Sequence, residues 1–543
     1  MVVGLILLGL GEFSWVWYRA MADMTHTIET QFPHVAVEQA QENALKIPLG
    51  KSRSFTDEEV DAFVAKARTA EDIADPLQRC LKYPDPPGSH WSPAAVDAYC
   101  HYRFQSVISF AEVQDLIRSG HAADLDRRLA EALQAQLTQP HSRGLVHRIF
   151  WEDFYDGSFD TRQTLDAWKR ASPDSAFVLA ASGVAYVAMA HKARGGALIR
   201  DTSDSNIESM DRLLQQADTD LQRAIQLNPK ITPAYEAMMD AGSMSLGDSY
   251  TDTAFRRGTV AVPDDYAIYS MYIHVSEPKW GGSLQAMKNV ADGAQVHAKT
   301  NPMLALLLAE EPAYYFNACD CALDTETHAW AAFPTVFDNV SSANLMFDAG
   351  YAANGDNQPK LGVVYLSEGL RFAPATNMAH VRRAYALTNV GDTDWALVEA
   401  GREIRKEPQS AWGYSMRGYA YKALHSPFLA VPDLEKANAL DPDNTFPLAQ
   451  LGWMYVNAGE WDKAWDVSSR LMHDHPDQGD GWLIRYYVQK NQPRSGLDDT
   501  MHHFIDTFGN DPYYAHWSAE MRAALAAESG TTIAVGKGVK SLR

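Results

Sequence analysis

The sequence predicts an all-α fold, an α-solenoid in which helical hairpins stack side by side into a superhelix. Two observations predict it. Four prolines, at 374, 408, 442 and 476, stand 34 residues apart, and a two-helix pattern lies upstream of each in a fixed register. Strand signals are weak throughout the chain, and the segment before the repeats also has the apolar spacing of helices.

The composition fits a large globular protein. The chain has 543 residues, 46% of them hydrophobic and 21% charged. This length is enough for roughly two to four domains with a sizeable core. The net charge is −22, and the acidic residues are spread along the chain. Because an acidic surface repels phosphate backbones, we expect no nucleic-acid partner.

Small residues recur at fixed positions of the repeat. The units begin at Ala343, Asn377, Ala411 and Thr445. The eighth and twentieth positions hold only glycine or alanine, namely Gly350, Ala384, Gly418 and Gly452, then Gly362, Ala396, Ala430 and Ala464. Small side chains at these positions predict that the two helices of a hairpin approach closely. Pro427 and Pro432 in the third unit predict a kinked or shortened second helix.

These units resemble the tetratricopeptide repeat, a helix–turn–helix of 34 residues. The stretches "LDPDN" (440–444) and "NAGEWDKAW" (457–465) are similar to that family's turn and second-helix start. A fifth unit begins near Gly479 and ends near Pro512, which stands 36 residues after Pro476, two more than the 34-residue step. The resemblance implies stacked hairpins that serve protein–protein interaction.

Aromatic residues at position nine are the strongest functional signal. The position is on the first helix of each unit, on the face that lines the concave side of such superhelices. The residues there are Tyr351, Tyr385, Tyr419, Trp453 and Tyr487. Position two adds Met378, Trp412 and Phe446 on the same face. We expect a groove that binds a peptide or partner protein, since such rings give a large contact area and have few rotatable bonds whose freedom is lost on binding. Packing between neighbouring hairpins is the alternative.

The middle of the chain carries a divergent version of the same hairpin. "SAFVLAASGVAYVAMAHKARGG" (175–196) has the pattern of a first helix, whereas the matching second helix, "ADTDLQRAIQLNP" (217–229), comes after an inserted segment. Together with "EPKWGGSLQAM" (277–287), residues 115–340 resemble the domain-of-unknown-function 4034 family. The resemblance implies a bacterial, helical, tetratricopeptide-like domain and no defined activity.

The stretch "PKWGGS" (278–283) predicts a tight turn before a helix. Gly281 and Gly282 are placed for positive φ, and Ser283 for an N-cap. The favoured interpretation is an interhelical turn whose Trp280 fills the core. The alternative is an anion site formed by Lys279, Trp280 and the following helix N-terminus.

No catalytic motif is recognisable, so we expect a protein that is not an enzyme and has no cofactor. "GKS" (50–52) lacks the first glycine of a phosphate-binding loop, and no metalloprotease or nucleophile-elbow motif occurs. Cys319, Cys321 and His328 offer three metal ligands without a fourth nearby. We therefore expect no metal site.

The N-terminus and the cysteines bear on the compartment. Residues 2–18 are apolar and end in aromatics followed by Arg19, which suits a membrane anchor; a cleaved signal and a buried helix are the alternatives. Cys80 and Cys100 flank a predicted hairpin turn, where a disulfide and two buried thiols are equally favoured. We expect an inner-membrane anchor with a periplasmic body; a cytoplasmic protein is the alternative.

The predicted organisation has five parts. They are an anchor or signal (1–22), an N-terminal helical region (23–114), the divergent domain (115–340), about five repeats (341–525) and a flexible tail (526–543). The predicted function is a non-catalytic scaffold in a bacterial cell envelope. The alternatives are an immunity protein for a secreted toxin and an enzyme whose site lies in the middle domain, in a pocket near residues 195–215 and Trp280.

Overall fold

The computed structural model describes residues 54–197, 201–317, 329–511 and 513–528. These residues form helices joined by turns, and no strand occurs among them, so the all-α prediction is confirmed. The chain divides into two compact units. The first contains Met1–Ala352 and Ser367–Pro374, and the second contains Ala353–Leu366 and Ala375–Arg543.

The helices before the repeats belong to the first unit. They are α1 Asp57–Glu71, α2 Pro76–Lys82, α3 Pro93–Phe104, α4 Phe110–Arg118, α5 Ala122–Thr138, α6 Leu145–Asp153, α7 Phe159–Ala171, α8 Ala176–Arg194, α9 Asp204–Leu227, α10 Thr232–Ala241, α11 Asp248–Ala261, α12 Tyr266–Val275, α13 Leu284–Ala294, α14 Glu310–Asn317 and α15 Phe333–Val336. Short 3-10 turns connect several of them, the longest over Pro302–Ala309.

The repeats follow as helix pairs. They are α16 Ala343–Gly355 with α17 Pro359–Phe372, α18 Asn377–Val390 with α19 Thr393–Lys406, α20 Ala411–Ala423 with α21 Pro427–Leu440, α22 Thr445–Ala458 with α23 Trp461–Asp474, and α24 Gly479–Asn491 with α25 Leu497–Phe508. A last helix, α26 Ala515–Glu528, follows the fifth pair. The first helices therefore begin at 343, 377, 411, 445 and 479, in the predicted register of 34 residues.

The small residues of the repeat are sites of close helix approach, as expected. A Cβ added at Gly418 would lie 2.7 Å from Leu434 Cγ, on the second helix of the same hairpin. A Cβ at Gly452 would lie 2.9 Å from Val467 in its own hairpin and 2.4 Å from Ile484 in the next. Real Cβ atoms do not approach this closely, so glycine at position eight packs both within and between hairpins.

The second helix of the third unit is not shortened. Helix α21 spans 14 residues, as many as α19 and α23, although Pro432 lies inside it. Pro427 occupies the first turn, where a missing N–H costs nothing. Only Pro432 removes a helical hydrogen bond, and the packing of Leu434 and Ala437, both fully buried, retains the helix beyond it.

The inserted segment of the middle hairpin is helical from Asp204 onward, which was not predicted from the sequence. Helix α9 begins at Asp204, well before the predicted start at 217, and Ser203 caps it by accepting from Asn206 N–H. Helices α8 and α9 thus form a long hairpin, closely packed where Gly183 meets Leu221. Helix α8 is long and apolar enough to cross a membrane. However, 72% of its 18-residue apolar stretch is buried inside the protein, so α8 is a core helix of the first unit.

Cys80 and Cys100 form a disulfide with a Cα–Cα distance of 5.8 Å. It joins α2 to α3, so of the two alternatives the bridge is the one observed. The predicted anchor at 2–18, the cluster of Cys319, Cys321 and His328, and the chain after residue 528 lie outside the described residues.

Candidate functional site

Three aromatic side chains from three successive hairpins contact one another in the second unit. The Tyr385 ring stacks on the Tyr419 ring with centroids 5.5 Å apart and planes 16° apart. Phe446 places its ring edge against both, 6.2 Å from Tyr385 and 5.4 Å from Tyr419. All three side chains are half-buried. Because α18, α20 and α22 present the same helix face in register, their position-nine and position-two residues meet across the stack.

A second aromatic pair continues the series. Trp453 and Tyr487 lie edge to face with centroids 5.5 Å apart, and both are half-buried. The Trp453 indole N–H donates to Asp480 Oδ1 at 3.0 Å. Burial raises the pKa of Asp480, and the indole hydrogen bond lowers it in part. The pair therefore combines two partly exposed aromatic rings with a carboxyl group hydrogen-bonded to one of them.

The other two predicted residues of this face behave differently. The half-buried Trp412 ring lies under the guanidinium of Arg382, which is 5.3 Å from its centroid. This cation–π contact joins neighbouring hairpins. Tyr351 belongs to the first unit, where its ring stacks on Phe347 at 6.3 Å. Met378 is 40% exposed.

Two further residues of the face were not found from the sequence. Asn389 accepts a hydrogen bond from the Tyr419 hydroxyl at 2.9 Å and donates its amide to the Tyr385 carbonyl. Asparagine recurs at this thirteenth position in Asn457 and Asn491, a signal that could have been read. Tyr513, 65% exposed, precedes α26, and interaction with Asp480 and Tyr385 helps burial raise its pKa. Tyr513 lies outside the 34-residue register, so spacing could not indicate it.

The aromatic face, meaning Tyr385, Tyr419, Phe446, Trp453, Tyr487 and Tyr513, is neither core nor bare surface. Burial raises the pKa of Tyr419 to about 12, so its hydroxyl stays a hydrogen-bond donor at neutral pH. Lys422, partly buried beside it, donates to Gln450 Oε1 at 2.6 Å, and burial lowers its pKa. The face can therefore offer flat apolar surface with polar tips at its edges. Its role in binding stays a prediction.

The turn at 278–283 has the predicted N-cap, but Trp280 does not lie in the core as predicted. Ser283 Oγ accepts from Ala286 N–H at 3.1 Å, and Gly281 has φ of 93°. Trp280, expected in the core, is 49% exposed, because its ring packs at the surface against His274 and the Lys279 ammonium. Lys279 also pairs with Glu277.

Gly282 is required for a reason other than the one predicted. Its φ is not positive. A Cβ there would lie 2.0 Å from the carbonyl oxygen of Ser276, so the position needs glycine because the backbone passes so close. The alternative of an anion site has no geometric support beyond Lys279, whose charge Glu277 already matches.

A polar cavity of about 360 Å³ lies within the first unit. Its walls include three glutamates, two histidines, an arginine and several aromatic residues. Glu236 is 1% exposed; its Oε2 lies 2.6 Å from His147 Nδ1 and accepts from Trp151 Nε1 at 2.9 Å. The enzyme alternative predicts a cavity near Trp280 and residues 195–215. The observed cavity is near Trp280, because His274 lines it and its ring contacts the Trp280 ring. No residue of 195–215 is among its lining residues.

One other side-chain group has the composition of a metal site. Asp97, His101 and His141 bring their ligand atoms within 4.8 Å of one another. The two imidazole rings, however, stack face to face with centroids 3.8 Å apart and planes 7° apart. Ligand lone pairs lie in the ring planes, so parallel stacked rings do not direct two nitrogens at one ion. The group instead forms hydrogen bonds, with His101 Nδ1 at 2.9 Å from the Asp97 carbonyl.

Comparisons with known proteins do not identify a family for this chain. No protein-family model matches the chain, so the resemblance of residues 115–340 to a named family is not confirmed, and no curated protein matches either. Among solved structures, YrrB, described as a tetratricopeptide protein with an unusual peptide-binding site, aligns at 16% identity. The alignment covers 42% of this chain and 95% of YrrB, with a TM-score of 0.26.

The yeast protein Tom70 aligns at 11% identity over 88% of this chain and all of its own, with a TM-score of 0.31. At these TM-scores neither structure carries an argument about the fold or the function of this chain. The repeat register, the close glycine contacts and the helix bounds therefore carry the assignment of a tetratricopeptide-like fold.

Proposed function

We propose that the second unit binds an extended peptide segment of a partner protein on the aromatic face. The observation that carries the proposal is the contact of Tyr385, Tyr419 and Phe446 across three hairpins while each residue stays partly exposed. Rings needed only for packing would be covered, and rings without a role would not align over successive repeats.

The chemistry of the face favours an apolar, extended segment. Lys422 and Asp480 give it charges of opposite sign, so it selects no strongly charged ligand. Tyrosine and tryptophan lose little conformational entropy on contact and can hydrogen-bond a peptide backbone with their polar tips. Extended segments with proline suit aromatic surfaces because they are already ordered before binding.

The test is selection from a displayed peptide library against the full chain. Selected peptides are then titrated by fluorescence anisotropy against wild type and against Tyr385→Ala/Tyr419→Ala/Trp453→Ala. We expect the triple variant to bind at least about 30-fold more weakly, because central aromatic anchors dominate such interfaces. Equal affinity in the triple variant would refute the proposal.

Two single variants separate binding from folding. Tyr513→Ala changes a residue that is 65% exposed and should weaken binding without loss of helicity. Phe428→Ala is the matched control, because Phe428 is 88% exposed on the second helix α21 and belongs to no part of the aromatic face. Circular dichroism of each variant shows whether the fold is intact.

We further propose that the chain works in an oxidising compartment of a bacterial cell envelope, attached through residues 2–18. The Cys80–Cys100 disulfide supports this, since such bonds persist mainly outside the reducing cytosol. Fractionation of the native host tests it: we expect the protein with the membranes and its cysteines oxidised. Recovery of a reduced protein in the cytosolic fraction would contradict it.

A further inference from the structure

The cavity of the first unit contains acceptor atoms that no described residue satisfies. Glu236 is almost completely buried, and its Oε1 has no hydrogen-bond partner although its Oε2 has two. A buried unpaired carboxylate oxygen is costly, so a group that supplies an N–H or O–H donor there would be stabilised.

A second carboxylate of the cavity, that of Glu310, has no ion-pair partner. Glu310, the first residue of α14, forms no ion pair with any described residue. Burial, together with the neighbouring Glu277 and Asp348, raises the pKa of Glu310 to about 7, while His274 opposes the shift. A cation that entered the cavity would relieve this repulsion.

The charges already on the cavity wall leave a surplus of acid. Glu277 is matched by Lys279 and lies 2.9 Å from His274 Nδ1. Arg103 is the one permanently charged cation among the lining residues described, and its Nε is held by the Phe372 carbonyl at 3.0 Å. The three glutamates of the wall therefore outnumber the two permanent cations, Arg103 and Lys279, by one.

Aromatic side chains line the same space. Tyr102 and Tyr266 have ring centroids 6.4 Å apart. The Trp151 indole N–H donates to Glu236 Oε2, the carboxylate oxygen other than the unpaired Oε1. Aromatic faces attract cations, most strongly where water is excluded. The volume of about 360 Å³ is in the range of small-molecule sites and exceeds what a single ion needs.

We propose that this cavity binds a small organic cation, an alkylammonium or guanidinium compound, through Glu236 and Glu310. A metal ion is a poorer fit. Metal sites need three ligand atoms close together, and among the described residues only the group of Asp97, His101 and His141 meets that criterion, not the cavity glutamates. An organic cation of several atoms can contact more than one carboxylate of the cavity wall, and its N–H groups supply the donor that Glu236 Oε1 lacks.

The test is calorimetric titration of the full chain with agmatine, which carries both an ammonium and a guanidinium group. We expect saturable binding, and at least roughly tenfold weaker binding in Glu310→Gln and in Glu236→Gln, because hydrogen bonds to charged groups are strong. Glu435→Gln, an exposed glutamate of the second unit, is the control and should bind as wild type does.

Two further titrations define the ligand class. Tetramethylammonium carries charge without N–H donors and should bind at least tenfold more weakly than agmatine. Magnesium chloride should neither bind at the cavity nor compete. Glu310→Gln keeps the test valid if Glu236→Gln misfolds, since the Glu310 carboxyl group makes no hydrogen bond to a described residue and only its backbone N–H donates, to the Leu307 carbonyl. Absence of agmatine binding, equal binding in Glu310→Gln, or competition by magnesium would each overturn the proposal.

Discussion

Glu368 shows how one buried carboxyl makes stability depend on pH. The residue is fully buried, its Oε1 has no partner, and Arg371, 3.2 Å from its Oε2, also pairs with Asp85. Burial raises the pKa of Glu368 to about 8, although Arg371 partly opposes this. In the folded chain it is therefore mainly protonated at neutral pH, whereas in the unfolded chain it is ionised above about 4.5.

The expected consequence is a loss of stability as pH rises from about 4.5 to about 8, because only the folded state binds the proton in this window. Glu368→Gln removes this dependence. We expect the variant to be more stable than wild type at pH 8, by about 1–3 kcal/mol, and similar at pH 5. Urea unfolding at both pH values measures this. A variant that is less stable at pH 8 would show that the carboxylate is ionised and needed.

At the scale of helix pairs, glycine at position eight determines how closely two helices pack. A Cβ at Gly183 would lie 2.5 Å from Leu221 Cγ and 3.3 Å from the Ala217 carbonyl oxygen. We expect Gly183→Ala to destabilise the first unit by about 1–3 kcal/mol through overpacking, despite alanine's better helix propensity.

Gly293→Ala is the matched control. Gly293 lies in helix α13 of the same unit and has no heavy atom within 4 Å of an added Cβ. There alanine should stabilise by up to about 1 kcal/mol, since only the backbone preference changes. Thermal unfolding by circular dichroism compares the two. Equal melting temperatures would mean that α8 and α9 pack less closely than described.

The second helix pair contains a buried ion cluster that ties α18 to α19. Glu399 Oε2 lies 2.9 Å from Arg383 Nη2 and 2.5 Å from His380 Nδ1, and all three residues are buried. Arg402 contacts the other carboxylate oxygen at 3.0 Å. Burial alone would raise the pKa of Glu399, but the charge of Arg383, the hydrogen bond with His380 and the charge of Arg402 hold it well below its usual range.

The sign of this shift gives a second pH prediction. A carboxyl group whose pKa is lowered by folding stabilises the folded state at pH values above its unfolded pKa of about 4.5. This contribution to stability is lost progressively as the pH falls below that value. We expect Glu399→Gln to lose about 3–5 kcal/mol of stability at pH 7, because the buried Arg383 guanidinium loses its charged partner, and the difference from wild type to narrow below pH 4. Urea midpoints across pH 3–7 record this; a constant gap would contradict it.

What could be predicted from the sequence differs between the helices and the sites. The hairpin register was predictable because glycine and alanine at positions eight and twenty are local consequences of helix pairing. The start of α9 could not be predicted in this way. The glycines after Arg194 indicate a break in the chain's helical pattern, and a new helix then begins at Asp204 with Ser203 as its N-cap. Tyr513 joins the aromatic face from outside the repeat, so its position depends on packing of the last helices.

The cavity could not be predicted for a related reason. Its lining joins residues as far apart as Tyr99, Glu236 and Glu310, and only the tertiary fold brings them together. The unpaired oxygen of Glu236 follows from burial beside His147 and Trp151 and has no signature in sequence spacing. Repeats therefore gave the fold of the second unit and the aromatic face, but not the site in the first unit.

For the whole molecule, the Cys80–Cys100 bond is a stabilising element confined to the first unit. It closes a loop over a sequence separation of 20 and restricts the unfolded chain. A loop of this length stabilises by about 3 kcal/mol in the chain-entropy treatment. We expect Cys80→Ser/Cys100→Ser to lower stability by that order, and reduction of wild type by dithiothreitol to have the same effect.

Hydrogen exchange measured by mass spectrometry locates this effect. Peptides from α2 and α3 should lose protection in the variant, because local opening of the first unit becomes easier, while peptides from α20 and α22 should change little. Dithiothreitol should leave the double variant unchanged, which serves as the control for non-specific effects of the reductant. Unchanged protection of α2 and α3 would show that the two thiols are not bridged in solution, and would also remove the support for an oxidising compartment.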